Sequence, residues 1–330
     1  MIVAHATELV TRGHTVIIQT SVIDTVFELH PGIIIKKNNY STKIGTIWLA
    51  LTEKISADIV VADIIVMCTL LAFRNGKKVV CFAQDYDESY YSNKVQQMFI
   101  RMIYFLGLTL LKIPVIAVSD KLARIIKSRF RADVDVVING VDLMQFYYEP
   151  STELILKKKK VISILLLSRK DFRKGFDVGI KTIKEFQKKF KIPFEIWTVG
   201  DNPGNALSGM VHEHFGYVNV TRLREIMSSA NIFLYPSRHE GFPLMVMEAF
   251  ACKCPVITTE AVSYAIHEKT ALKSEIEDYY NLSDNLYRII SDKKLKDKLV
   301  HNGLRFAKEN SLKNSSIKFE KTLRQLFVKI

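Results

Sequence analysis

Short runs of β-branched and apolar residues alternate with longer amphipathic stretches along the whole chain. In the first half, these runs predict six strands, at residues 15–20, 32–37, 57–63, 77–84, 114–119 and 134–139. In the second half, they predict five more, at residues 161–168, 194–200, 211–218, 231–237 and 255–259. Strands this short and this uniformly apolar are typical of parallel sheets that helices cover on both faces. The alternation therefore predicts an α/β fold with two doubly wound, Rossmann-like domains.

A polar linker separates the two predicted domains. The strand pattern stops near residue 145 and restarts at Val161, and from about residue 278 the chain is helical and polar. A length of 330 residues suits two domains, since one domain usually takes ~150 residues. We predict a first domain at residues 1–150 and a second domain at residues 151–310.

The first domain begins in an unusual way. A doubly wound domain normally opens with a strand and a glycine-containing turn, whereas Met1 stands directly at a helix that ends near Gly13. The first strand lies in the middle of such a sheet, so its loss would leave two unpaired interior edges. We therefore expect a first domain that lacks its first strand, through either a truncated start or a rearranged domain.

The charge of the chain is unevenly divided. The net charge is +13, and the residues after 150 carry +11 of it. This excess of positive charge indicates that the second half binds an anionic partner. The partner is a phosphate-bearing ligand, a nucleic acid or an anionic membrane surface. We expect no nucleic-acid partner, because no basic stripe interleaved with aromatic residues is evident.

Cysteine usage and hydropathy indicate a cytoplasmic protein. Four cysteines provide neither a disulfide framework nor the paired spacing of a zinc site, and the N-terminal residues are too polar for a signal peptide. Arg101 and Lys112 interrupt the most apolar stretch, 98–118, which is therefore too short to span a bilayer. We predict that a helix at 94–111 is buried against the sheet, and contact with an anionic membrane surface is the alternative.

The strongest cluster of chemistry-bearing residues follows the predicted strand at 231–237. Pro243 suits the first turn of a helix, and Gly241 allows backbone to approach a ligand closely. A helix N-terminus at the carboxyl end of a strand is a ready anion site. Glu248, about one turn into this helix, is placed to accept two vicinal ribose hydroxyls, and Glu240 is placed to bind sugar hydroxyls. The alternative is that Glu240 is a surface loop residue and Glu248 a capping charge.

A second element follows the predicted strand at 161–168. Arg169 and Lys174 flank a tight turn at the edge of the sheet where ligands of such folds bind. Arginine supplies a forked donor for phosphate and lysine a compact charge. Together they suit a diphosphate leaving group that no metal neutralises.

These segments resemble glycosyltransferase family 4, whose members are retaining, nucleotide-sugar-dependent enzymes of the GT-B fold. In that fold, two Rossmann-like domains face a cleft. The resemblance rests on four motifs in the family's order: residues 139–146, Ser-Arg-x4-Lys-Gly-Phe-Asp at 168–177, Gly-Tyr-Val at 216–218 and Glu-Gly-Phe-Pro-Leu-x3-Glu at 240–248. The resemblance as a whole extends over nearly the whole chain.

The resemblance implies a role for each matching residue. Arg169 and Lys174 would bind the donor diphosphate, Glu248 the ribose and Glu240 the transferred sugar. The other implied donor contacts are Tyr217 and Val218 beside the base, His239 and Gly241 next to Glu240, and the backbone of Phe242, Pro243 and Leu244 by the sugar and phosphates. The resemblance also implies a C-terminal helix, 311–330, that crosses back to the first domain.

Two features depart from the family pattern. The glycine-rich turn after the first strand has no counterpart, and the histidine that often follows the fourth strand is replaced by the Gln-Asp-Tyr-Asp-Glu sequence at 84–88. That sequence resembles a subgroup of polysaccharide rhamnosyltransferases, and it makes Asp85 the candidate for orienting or activating the acceptor hydroxyl. The pairs Asp85-x-Asp87 and Asp133-x-Asp135 could instead hold a divalent metal. We expect no metal, since the second domain already supplies cations.

The sequence thus predicts a metal-independent glycosyltransferase without a cofactor. It would transfer a hexosyl or rhamnosyl group, with retention, from a nucleoside diphosphate sugar to a saccharide or lipid-linked acceptor in surface polysaccharide or glycan synthesis. Asp85, Glu240, Arg169 and Lys174 are its predicted catalytic residues. It would act in the cytoplasm, with peripheral contact at the membrane face as an extension. The alternatives are a nucleotide-sugar 2-epimerase of the same fold and a catalytically inactive, truncated relative that acts as a binding subunit.

Overall fold

The structure, a computed structural model, describes residues 1–20, 29–38, 42–91, 93–158 and 161–328. It divides the chain into two compact units. Unit 1 comprises Met1–Asn139 together with Leu312–Ile330, and unit 2 comprises Gly140–Ser311.

Unit 1 alternates strands and helices. In chain order, its elements up to Asn139 are α1 Ile2–Thr11, β1 Ile17–Thr20, β2 Ile34–Lys37, α2 Lys43–Thr52, β3 Val60–Ala62, α3 Ile65–Asn75, β4 Val79–Ala83, α4 Lys94–Tyr104, β5 Val115–Ala117, α5 Asp120–Phe130 and β6 Val134–Val136. A π-helical turn, Phe105–Leu110, continues α4. Each of the six strands predicted for the first half contains one of the observed strands.

The strands of unit 1 form two separate parallel sheets. β1 pairs with β2, and the other four strands are ordered β3-β4-β5-β6. β4 is buried along its whole length, whereas all four residues of β2 are exposed. Among the residues that the structure describes, no strand pairs with the second edge of β1 or of β3. β1 and β3 therefore each have one edge that no described strand covers.

Helix α4 differs from the sequence-based prediction of a buried helix. Only Ile100 and Tyr104 of α4 are buried. Tyr104 packs inward, where its ring stacks on Phe130 of α5 with the centroids 5.0 Å apart. The apolar residues on the rest of the helix point outward, because α4 contacts unit 1 through one narrow face. Among the described helices, none is long and apolar enough to span a bilayer.

Unit 2 follows the same alternation of elements. In chain order, its elements are α6 Thr152–Lys157, β7 Ile162–Ser168, α7 Phe176–Phe190, β8 Phe194–Gly200, β9 His212–His214, α8 Val220–Ser229, β10 Ile232–Tyr235, α9 Leu244–Ala251, β11 Val256–Thr259, β12 Leu272–Ser274, α10 Tyr279–Ser291 and α11 Lys293–Glu309. The strand predicted at 211–218 is shorter than expected, because Gly216 takes a φ of 67° that an extended strand does not allow. The last helix of the chain, α12 (Leu312–Val328), belongs to unit 1.

The sheet of unit 2 is parallel throughout, with the strand order β12-β11-β10-β7-β8-β9. Its core is apolar, and Ile164 and Leu166 of β7 are buried in one cluster with Ile183 of α7 and Leu286 of α10. The direction of winding reverses between the neighbouring strands β7 and β10. The loops that follow these two strands therefore emerge side by side, at the position where doubly wound sheets bind their ligands.

Helix α12 packs against α1. The Nδ1 atom of His5 lies 2.8 Å from Ser316 Oγ, and its ring stacks on Phe319 with the centroids 4.6 Å apart. Burial lowers the pKa of His5 to about 4, so its ring is neutral at pH 7. Glu320 adds a salt bridge to Arg12 at 2.7 Å. Aromatic stacking and polar contacts together fix the end of the chain to its beginning.

Candidate functional site

The loops after β7 and β10 are fastened together. The Arg238 amide donates a hydrogen bond to the carbonyl oxygen of Arg173 at 2.7 Å, and Ser237 Oγ lies 2.8 Å from the same oxygen. Gly175, at a φ of 67°, permits this approach, since a Cβ atom there would lie 1.9 Å from the Pro236 carbonyl oxygen. The glycine that precedes α7 is therefore required by the contact between the two loops.

This contact joins two of the predicted catalytic residues. Lys174 Nζ lies 2.9 Å from Glu240 Oε1 and 3.0 Å from Oε2. The buried Glu240 carboxylate also accepts hydrogen bonds from the hydroxyls of Tyr235 at 2.7 Å and Ser237 at 2.6 Å. Each carboxylate oxygen thus accepts at least one hydrogen bond, and these contacts fix the orientation of the carboxylate. Its burial excludes the alternative that Glu240 is a surface loop residue.

Arg169 takes part in a series of hydrogen bonds that links the loop after β7 to Tyr217 and Asp201. Its Nη1 donates to the Tyr217 hydroxyl at 3.1 Å, and its guanidinium carbon lies 5.5 Å from the centre of the tyrosine ring. The Tyr217 hydroxyl in turn donates to Asp201, which also accepts from the Lys170 amide at 2.7 Å. The hydrogen bond from Tyr217 lowers the pKa of Asp201. Two predicted donor-binding residues, Arg169 and Tyr217, are therefore in contact.

Sequence reasoning missed Asp201, although its position directly after a predicted strand could have marked it as a site residue. It directly follows Gly200, the last residue of β8, at the carboxyl edge of the sheet where Arg169 also lies. A carboxylate at that edge orients the neighbouring cation and tyrosine.

Sequence reasoning also missed Arg238. Its Nη1 and Nη2 atoms each donate to Asp177 at 2.7 Å, and its guanidinium carbon lies 3.8 Å from the centre of the Phe172 ring. Its Nε donates to Glu277. The hydrogen bonds to Asp177 raise the pKa of Arg238. Because Phe172 and Asp177 lie on either side of Lys174, this clamp holds the loop that carries the lysine.

Contacts with Tyr264 fix the start of α9. Pro243 is the N-cap residue of α9, one position before the first turn where the sequence predicts it, and Leu244 opens the helix. Phe242 stacks on Tyr264 with the ring centroids 4.4 Å apart, and the Tyr264 hydroxyl donates to the Pro243 carbonyl at 2.6 Å. These contacts hold a helix N-terminus next to Gly241.

Glu248 lies on the second turn of α9. Burial raises the pKa of its carboxyl to about 7. A desolvated carboxyl of this kind gains from hydroxyl donors, which stabilise its ionised form. It is thus suited to accepting hydrogen bonds from a diol.

The remaining predicted donor contacts are less closely tied to this cluster. The His239 carbonyl oxygen lies 3.2 Å from Ser237 Oγ. Val218 is half-buried in the loop between β9 and α8.

In unit 1, the segment after β4 contains Asp85, the residue predicted to orient or activate the acceptor hydroxyl. Asp85 Oδ1 accepts from the Tyr86 amide at 2.8 Å. Asp87 Oδ2 accepts from the Ile65 amide, at the N-terminus of α3, at 2.9 Å, and burial raises the pKa of Asp87 to about 6. Glu88 is buried and forms a salt bridge with Arg101. Across the described residues, no group of three or more His, Cys, Asp or Glu side chains is arranged to hold a metal ion.

Comparison with known proteins found similarities for the second unit. Residues 161–292 match the family described as "Glycosyl transferases group 1". A curated relative, the putative teichuronic acid biosynthesis glycosyltransferase TuaC of Bacillus subtilis, is 30% identical over 152 residues. That match covers 44% of this chain and 38% of TuaC, so the chain spans about two fifths of the relative's length.

Solved structures match nearly the whole chain. Sucrose-phosphate synthase from Thermosynechococcus elongatus superposes with a TM-score of 0.81 at 18% identity, covering 99% of this chain and 92% of the synthase. HepE of Anabaena, in complex with UDP-glucose, superposes with a TM-score of 0.70 at 15% identity, covering 89% of this chain and 86% of HepE. At these identities, the likeness establishes the fold. The chain therefore has the GT-B fold, and residues 161–292 of its second unit are similar to the glycosyl transferases of group 1.

Proposed function

We propose that this protein is a retaining glycosyltransferase that moves a sugar from a nucleoside diphosphate sugar to a saccharide or lipid-linked acceptor. The acceptor belongs to surface polysaccharide or glycan synthesis, and an anionic membrane surface is a further partner. The observation that carries the proposal is the Lys174–Glu240 pair, held at the carboxyl edge of β7 and β10 in the same loop cluster as Arg169. TuaC supports the polysaccharide assignment, and HepE supports a nucleotide-sugar donor.

Each side chain has one task in this reaction. Arg169 and Lys174 stabilise the charge that develops on the diphosphate as its bond to the anomeric carbon breaks. Glu240 holds the hydroxyls of the transferred sugar, and Glu248 holds the ribose diol. Tyr217 and Val218 flank the base; the backbone from Phe242 through Pro243 to Leu244, together with Gly241 and His239, lines the sugar and phosphates.

The acceptor oxygen forms the new bond to the anomeric carbon from the face that the diphosphate leaves. Asp85 orients the acceptor hydroxyl, whose proton passes to an oxygen of the departing diphosphate as the new bond forms. Two protein cations replace a metal ion at the diphosphate, so the reaction needs no metal and no cofactor. Rhamnose as the sugar remains a prediction from the Gln-Asp-Tyr-Asp-Glu sequence at 84–88.

Turnover of the purified protein tests this proposal. Nucleoside diphosphate sugars are first screened by thermal shift, since a ligand at ~100 times its dissociation constant adds ~2.7 kcal/mol to stability. Release of nucleoside diphosphate is then measured with and without saccharide acceptors. Arg169→Ala and Lys174→Ala should each lower turnover ~10²–10³-fold, the usual loss for one charge-stabilising donor. Wild-type turnover in the folded double variant would refute the assigned roles.

A further inference from the structure

An apolar stripe covers the outer face of α4 and the turn that follows it. The α4 stripe consists of Val95, Met98, Phe99, Met102 and Phe105, whose exposed fractions range from 50% to 67%. Large apolar side chains are occasionally exposed one at a time, but a continuous group of five on one helix marks an interaction surface.

The helical geometry directs this stripe away from unit 1. Spacings of three and four residues place its members on one side of α4, since a helix turns once in 3.6 residues. The buried residues Ile100 and Tyr104 lie on the opposite side. The stripe is therefore the part of α4 that is farthest from the packed interior.

The stripe lies within a basic segment of unit 1. Residues 88–131 contain eight lysines and arginines and two acidic residues, Glu88 and Asp120, and Glu88 pairs with Arg101 and Arg129. Two of these cations, Lys94 and Lys112, stand at the two ends of the apolar segment, and both are exposed. An apolar face flanked by cations is the pattern of helices that lie in the interface of an anionic membrane.

We propose that the α4 stripe docks the protein on an anionic lipid bilayer, with α4 parallel to the surface and its apolar side chains among the headgroups. The positive charge around the stripe favours an anionic bilayer over a second copy of the chain as the binding partner. A symmetric dimer through the stripe would bring two sets of these cations together, whereas an anionic surface neutralises them. The inference deepens the proposed function by assigning a site for its membrane partner.

Vesicle co-sedimentation of the full chain, without donor or acceptor, tests the proposal. Vesicles of phosphatidylcholine with phosphatidylglycerol should bind the protein at least about tenfold more tightly than phosphatidylcholine alone, and added salt should weaken the binding. The double variant Phe99→Gln/Met102→Gln should lower the affinity at least about tenfold, because two large apolar groups no longer enter the interface.

The chain offers a matched control on α2. Ile44 and Trp48 are also exposed apolar residues one helical turn apart in unit 1, at 81% and 62%. They lie in the segment 42–63, which has two lysines against three acidic residues. The variant Ile44→Gln/Trp48→Gln should therefore bind like the wild type. Should the α4 variant unfold, Lys94→Gln/Lys112→Gln replaces it and should weaken binding to the anionic vesicles alone.

Three results would overturn the inference: no binding to anionic vesicles, equal losses in the α4 and α2 variants, or a dimer in solution that Phe99→Gln/Met102→Gln dissociates. Transfer to a soluble acceptor separates this inference from the proposed function. Loss of vesicle binding with intact transfer counts against the membrane site only, and intact binding without transfer counts against the proposed function only.

Discussion

The Lys174–Glu240 pair allows the geometry of the site to be tested without any substrate. Lys174→Met leaves the Glu240 carboxylate, whose side chain is 6% exposed, with hydroxyl donors but no cation. Glu240→Gln leaves an ammonium group on a side chain that is 26% exposed and can turn toward water. The lysine variant should therefore lose more stability than the glutamate variant.

The structure sets the size of these losses. The attraction across a gap of about 3 Å is about 5 kcal/mol at an effective dielectric constant of about 20, and the desolvation of the carboxylate cancels much of it. Leaving one buried charge unpaired commonly costs about 3–5 kcal/mol. Since Lys174 is partly solvated, we expect losses of about 2–3 kcal/mol for Lys174→Met and about 1–2 kcal/mol for Glu240→Gln. The double variant should lose about 2–3 kcal/mol, which gives a coupling of about 1–2 kcal/mol.

Tryptophan fluorescence can report the unfolding of unit 2 by itself. The chain has two tryptophans, Trp48 in unit 1 and the buried Trp197 in β8 of unit 2. In a Trp48→Phe background, urea unfolding followed by fluorescence monitors Trp197. Additive losses in the double variant, with a coupling below about 0.5 kcal/mol, would show that the two side chains do not interact as described.

Three further substitutions probe the same site. The pKa of Glu248 is about 7, and hydrogen bonds from the ribose hydroxyls favour its ionised form. The affinity for the nucleotide-sugar donor, measured by calorimetry, should therefore rise about tenfold between pH 6 and pH 8. In Glu248→Gln, this affinity should not change with pH. Arg238→Met should lower the free energy of unfolding in urea by about 0.5–1.5 kcal/mol, since its partner Asp177 is half-exposed. It should also raise KM for the nucleotide-sugar donor, because the loop that carries Lys174 is held less firmly. Gly175→Ala should lower the free energy of unfolding by more than about 2 kcal/mol, because its Cβ atom would lie 1.9 Å from a backbone carbonyl oxygen. The control Gly204→Ala, at a φ of 57° with open space around the new Cβ atom, should lower it by about 1 kcal/mol.

Local patterns predicted eleven of the twelve strands that the structure describes and missed β12, whose three residues, Leu272–Ser274, form no apolar run. Apolar runs such as 161–168 and 194–200 correspond to β7 and β8, because a strand buried on both faces must be apolar throughout. The orientation of α4 was not predictable in this way. Hydropathy showed that the segment 94–111 is apolar, but whether its apolar side faces the sheet or solvent depends on which residues of α3 and α5 pack against it.

The site was predicted in composition but not in geometry. Glu240 and Lys174 were both identified, and the charge pair between them follows from the pairing of β7 with β10, which sequence spacing does not reveal. Arg238 and Asp201 resemble ordinary surface charges in the sequence. Their roles appear only when Asp177 and Tyr217 are placed beside them.

The division of the unit 1 sheet has a consequence for how that unit opens. Within the part of the chain that the structure describes, β1 and β2 are hydrogen-bonded as strands only to each other. β2 is exposed along its length, whereas β4 lies buried between two neighbours. Amide protons of β1 and β2 can therefore exchange with solvent through local opening, while those of β4 exchange only when the four-stranded sheet separates. Unit 1 is in this sense two cooperative folding segments, and the smaller one can open while the larger remains folded.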